Sequence, residues 1–272
     1  MYNLIKSEML KFKWSNYIIG STLSIIILFI VYLLADSATF LYKGDRYIAG
    51  GGIGFISSIY GDINNPTFGE IMRTSMVGTG FIWIIILIIS VSFFMSEYTE
   101  NTIRLSIAYG HSKFKMYISK LSVISVYSLM LYCFLTLLIF THSIIKLKFT
   151  PDFSEILIAL KLITLNFLVI EVFIMISLLV SIIVKHIGAI SAIICFFILS
   201  LPMVYMMVWD KLASQSILIK IFLKINPMYY WSTISAYNID NNIIYETVVY
   251  VILATIFLIP LSYFLLRREE VK

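Results

Sequence analysis

Charge is scarce in this chain. Its 272 residues include 15 Asp and Glu and 20 Lys and Arg, so only 13% are charged. A soluble domain carries about 25% charged and about 45–50% apolar residues. Here 60% are apolar and the mean hydropathy is +0.96, an excess that no water-soluble domain of this size can bury. The chain is read as an integral membrane protein. Cysteine is nearly absent: Cys133 and Cys195 both sit inside apolar runs and read as small hydrophobes, so no disulfide framework is implied. The three histidines, His111, His142 and His186, have no second ligand at helical spacing, so no metal site is supported. There is no HExxH or Ser/His arrangement and no G-x-x-x-x-G-K-[ST]. The run Gly50-Gly51-Gly52-Ile53-Gly54 fits neither that phosphate loop nor G-x-G-x-x-G and reads as a flexible turn. Nothing here points to an enzyme, a resident cofactor or a nucleotide site. The net charge of +5 suits positive-inside bias better than nucleic acid.

What the chain does have is long apolar runs. A bilayer core about 30 Å thick takes around 20 apolar residues in a helix. Six runs qualify: 17–35, 77–95, 121–141, 163–184, 187–208 and 247–266. The expected fold is therefore one all-α transmembrane domain, residues 1–272, with six spans. An even number of spans puts both termini on one side. With the termini cytoplasmic, eleven of the twenty Lys and Arg fall in about 50 inner residues and nine in about 100 outer ones. That asymmetry selects termini-in.

Two flanking segments are expected to lie at membrane surfaces. Residues 4–14 have helical periodicity, with Ile5, Met9 and Phe12 on one face and Lys6 and Lys13 on another. This suits an amphipathic interfacial helix, although a plain basic flank that fixes topology fits equally. The outer segment 209–246 is unusually apolar and is broken by Asn226-Pro227. It reads as a helix–turn–helix dipping into the outer leaflet, because backbone at that depth must satisfy its own hydrogen bonds. The alternative is an amphipathic surface helix. Pro202 and Pro260 are candidate kinks in the fifth and sixth spans.

Between the second and third runs lies SEYTENTIRLSIAYGHSKFKMYISK, residues 96–120. Gly110 breaks it, Ser112 suits a helix N-cap, and the segment reads as a turn followed by a basic helix leading into the third span. Glu97 and Glu100 at the exit of the second run do nothing for topology. Carboxylates followed by cations in one short hairpin suit docking to a soluble partner, while a solvated basic loop is the plainer reading. Within the membrane, Glu171 stands mid-run. A charge there costs at least about 2.5 kcal/mol, so it should face protein or water, or be neutral. It either lines a path, together with Asn166, or makes a structural hydrogen bond to a neighbouring helix through Asn166 or a serine.

The hairpin resembles the segment between the second and third spans of ABC type-2 transporter permeases, on Glu97, Asn101-Thr102, Ser112-Lys113 and Lys120. Asn101 stands where that family usually has Gly. The short basic start, the six runs, the long first outer segment and the Pro-containing apolar segment before the last span extend the likeness over nearly the whole chain. The closest flavour is the small Gram-positive permeases that export, or give immunity to, peptides such as lantibiotics and bacitracin. The resemblance implies a bacterial plasma-membrane half-transporter that pairs with a second permease, identical or not. Each would rest its hairpin on one of two copies of a separate ATPase subunit, which binds ATP and Mg. It implies ATPase coupling through Glu97, Glu100, Thr102, Arg104, Ser112, Lys113 and Lys120, and an amphipathic or antimicrobial peptide, or a lipid-soluble toxic compound, as substrate. The competing reading is a stand-alone secondary transporter or channel using Glu171.

Overall fold

A computed structural model describes residues 2–34, 68, 76, 79, 82–99, 107–148, 150–190, 193, 221, 224–234 and 241–268. Among these residues there is no strand. The helices are α1 (Tyr2–Lys13), α2 (Asn16–Leu34), α3 (Ile82–Thr99), α4 (Lys113–Leu147), α5 (Phe153–Val184), α6 (Pro227–Ile234) and α7 (Asn241–Arg268).

Three of these, α4, α5 and α7, are long and apolar enough to cross a bilayer; α1 with α2 makes a fourth if that pair, bent by 60°, counts as one span. The second apolar run contains α3, and residues 77, 78, 80 and 81 of that run lie outside the described residues. Most of the fifth run, 187–208, lies outside the described residues, as do Pro202 and nearly all of the first outer segment. Six spans therefore reduce, in what is described, to three or four.

α4 and α5 overrun their apolar cores, and side-chain caps mark where each of them starts. Ser112 takes extended backbone before α4, and its Oγ accepts the Lys115 N–H at 3.3 Å. α4 then runs 35 residues to a left-handed Lys148 (φ 52°), about 52 Å at 1.5 Å per residue. Asp152 and Glu155 form a reciprocal capping box that starts α5 ten residues before the apolar run expected at 163. Pro260 does not end α7, which continues through it.

α5 is the hub, packed by α3, α4, α6 and α7. Its centre meets two fully buried indoles: Trp83 lies 4.8 Å from Phe173 and 6.1 Å from Trp231, centroid to centroid. Polar side chains in the helices are satisfied within their own turns. Ser90, Thr136, Ser177, Ser181 and Thr247 each donate to the carbonyl four residues back, so they need no partner in hydrocarbon. By contrast, α7 is largely uncovered, with Ile252, Leu253, Ile256 and Phe257 exposed.

α1 corrects one expectation. Its inward face is Leu4, Glu8 and Phe12, while Met9 is half exposed and Ile5 only partly covered. Assigning every charge to the outside puts Ile5, Met9 and Phe12 inward; the helix is instead turned to bury a carboxylate.

Candidate coupling end of the bundle

At one end of the bundle the start of α4, the end of α3, helix α1 and the end of α7 converge. The hairpin tip precedes α4. Gly110 takes φ +83°, in the left-handed region that glycine adopts without strain, and its N–H bonds back to Ile107. This turn leaves the Tyr109 ring 82% exposed, with Ser112 and Lys115 also outward. Glu100, Thr102 and Arg104 lie outside the described residues. Glu97 belongs to the last turn of α3, but its side chain is outside the description.

Three candidate residues are placed. Ser112 serves as the N-cap. Lys113 Nζ donates to the Leu266 carbonyl at 3.3 Å, one of the last carbonyls of α7 that have no partner within their own helix. A cation at that terminus also suits the helix dipole. The contact is reinforced next door, where Phe114 meets Tyr263 edge-on at 5.0 Å. Lys120 points inward: its side chain is 4% exposed, its Nζ is 3.1 Å from Glu8 Oε2 and it donates to the Phe93 carbonyl at 3.1 Å. The ammonium also sits 4.1 Å from the centroid of the Phe93 ring. Among the described residues of the hairpin, Tyr109, Ser112 and Lys115 are exposed, and Lys120 lies beneath them.

Glu8 is the site residue that the sequence reading missed. Its side chain is 4% exposed and binds Lys120 on one oxygen and, at 2.7 Å, Lys11 on the other. Burial pushes its carboxyl up, but Lys120 and Lys11 together outweigh that and hold it below its ordinary 4.5. The available signal is the spacing Leu4–Glu8–Phe12, one residue every four on a single face. Around the pair, Phe12 lies edge-on to Phe93 at 4.8 Å and to Tyr127 at 4.7 Å, and the Tyr17 hydroxyl donates to the Ser92 carbonyl at 3.4 Å. Polar and aromatic contacts therefore join α1, α2, α3 and α4.

Deeper in the bundle, Glu171 on α5 accepts a hydrogen bond from Ser125 Oγ on α4 at 2.6 Å, while its Oε1 is buried with no hydrogen-bond partner. Asn166 is fully buried, and five residues place it about 140° round the helix from Glu171. The serine is thus the neighbour that Glu171 engages. At the opposite end, Asn226 caps α6 by accepting the Met228 N–H at 2.7 Å, with Pro227 in the first helical position. The segment is tied to α7 by Tyr250 donating to the Ile225 carbonyl at 2.8 Å and by Lys224 to Glu246 at 2.8 Å. Among the described residues no group of three His, Cys, Asp or Glu could hold a metal ion. No protein-family model and no curated protein matches this chain.

Proposed function

We propose that this chain is the membrane-spanning permease subunit of an ATP-driven exporter. It would reside in a bacterial plasma membrane with both termini cytoplasmic and pair with a second permease, and two copies of a separate ATPase would bind ATP and Mg. The observation that carries this reading is the hairpin tip: an exposed tyrosine with Ser112 and Lys115 beside it, on a helix start braced against both ends of the chain by Glu8 and Leu266. A plain solvated loop has no use for such bracing. A surface that receives force from a soluble partner does, since the two anchors stop α4 from yielding alone. Glu97, Glu100, Thr102 and Arg104 complete the hairpin in this reading.

Chain direction supports six spans. α4 and α5 are joined by a short link and pair antiparallel, with Ser125 opposite Glu171. α5 therefore ends level with the hairpin, where Leu266 of α7 also lies. Since α7 begins at the far end, the reading assigns a further crossing to the fifth apolar run, 187–208. Consistent with this, Lys185 turns at φ 52° and His186 caps a new helical turn through Ala189 N–H at 3.2 Å. The reach of Trp231 to Trp83 supports α6 as the return limb of a re-entrant segment.

The substrate class is an amphipathic or antimicrobial peptide, or a lipid-soluble toxic compound, leaving between paired permeases. One observation favours the second reading, a stand-alone transporter or channel: Glu171 is a carboxylate at mid-helix with one oxygen unengaged. Affinity purification from native membranes discriminates the two. A co-purifying ATPase that is lost on Tyr109→Ala with Lys115→Glu supports the permease; transport of the same compounds by the purified chain alone, driven by a proton or ion gradient, sinks it.

A further inference from the structure

A buried ion pair is a poor way to stabilise a fold. Desolvating both charges offsets most of their attraction, and well-packed apolar residues often do as well or better. A register or switch role is the better-attested reason to keep one. Here a single ammonium, Lys120 Nζ, holds three helices: α1 through Glu8 at 3.1 Å, α3 through the Phe93 carbonyl at 3.1 Å and the Phe93 ring at 4.1 Å, and α4 through its own backbone. Phe12 repeats the same union one turn along, touching Phe93 and Tyr127. Apolar contact alone lets helices slide; a charge fixed to a carbonyl and a carboxylate does not. The chain then bends by 60° at Trp14-Ser15, between α1 and α2.

We infer that Glu8 and Lys120 form a clasp making α1, the start of α4 and the end of α3 one rigid body, to which the start of α2 is tied through Tyr17 and Ser92. On the permease reading, which this inference rests on, a displacement of the hairpin tip is delivered through that body to the α1–α2 bend instead of being absorbed along α4. Glu8 and Lys120 are then positioning residues: neither needs to touch the ATPase or the substrate.

Double electron–electron resonance on the full chain in lipid nanodiscs tests the rigid body. Spin labels go on the exposed positions Met9 of α1 and Lys115 of α4, with Cys133→Ser and Cys195→Ala. The expected result is a single narrow distance peak that Glu8→Gln and Lys120→Met each abolish and Lys11→Gln keeps, Lys11 being the outer partner at 49% exposure. A control pair on Met130 of α4 and Leu157 of α5, both exposed, stays narrow throughout and shows that the bundle is intact. A narrow Met9–Lys115 peak in Glu8→Gln overturns the clasp. For its transmitting role, Glu8→Gln should retain ATPase co-purification and ATP hydrolysis but lose transport; normal transport with a broadened peak overturns that role. The spectroscopic arm needs neither ATPase nor substrate. Failure to find any ATPase with the wild-type chain therefore strikes the permease reading and leaves the clasp standing.

Discussion

Lys113 and Leu266 stand 153 positions apart in the chain, yet the lysine ammonium closes on the leucine carbonyl at 3.3 Å, joining the first turn of α4 to the last turn of α7. The contact depends on the long lysine stem and on a carbonyl left over by helix geometry. Hydropathy detects neither.

Lys113→Met should keep the stem and lose the donor. The expected cost is about 0.5–1.5 kcal/mol, the net worth of one such bond with its dipole component. The more sensitive measure is limited trypsin digestion of reconstituted protein, in which cleavage at Arg267 and Arg268 should accelerate as the end of α7 frays. Unchanged digestion would remove the strut.

For the buried pair, the single changes and the double change should differ in kind. Glu8→Gln leaves Lys120 buried without its counter-charge and should cost about 3–5 kcal/mol, whereas Glu8→Leu with Lys120→Leu should come close to neutral. Chemical unfolding in mixed micelles across the double-mutant cycle measures this. Additive losses would mean that the two side chains do not interact.

Acid should loosen α1. Glu8 is held below its ordinary 4.5 by Lys120 and Lys11 against the opposing effect of burial. The stability it contributes is therefore fully present above about pH 4.5 and is lost as pH falls through the lower folded-state value. Hydrogen exchange of residues 2–13 should be flat from neutral pH down to about 4.5 after correction for intrinsic rate. It should rise below that, and Glu8→Gln should remove the acid step.

Glu171→Gln separates two roles. The amide still accepts from Ser125 and carries no charge into hydrocarbon, so thermal stability should hold or rise, while Ser125→Ala should cost about 1 kcal/mol. A changed transport rate or substrate range with stability intact places the carboxylate on the path. Altered stability with transport intact makes it structural.

Asn226→Ala removes the side-chain cap of α6 and should cost about 1 kcal/mol. Because Trp231 sits on that helix against Trp83, a red shift in tryptophan emission should accompany the loss.

Much of the helix inventory was legible from apolar run length, since a spanning helix must be both continuous and apolar. The turn at Gly110 and the cap at Ser112 were legible as well, because each follows from local backbone chemistry. The helix ends were not: the Asp152–Glu155 box and the left-handed Lys148 set them outside the apolar cores. The candidate site was legible only in part. Lys113 and Lys120 were singled out as hairpin cations, but their partners, the Leu266 carbonyl and Glu8, belong to opposite ends of the chain. Nothing local tells an inward lysine from an outward one. Glu8 was missed for a related reason, because an amphipathic reading treats a carboxylate as evidence of a wet face.

The short link from Lys148 to Asp152 has a consequence for biogenesis. Helices of 35 and 32 residues joined by five residues, 148–152, cannot choose their orientations separately. Once α4 has threaded into the bilayer in one direction, α5 has only the reverse direction open to it. Residues 113–184 are therefore expected to insert as a single helical hairpin, with Glu171 already facing Ser125.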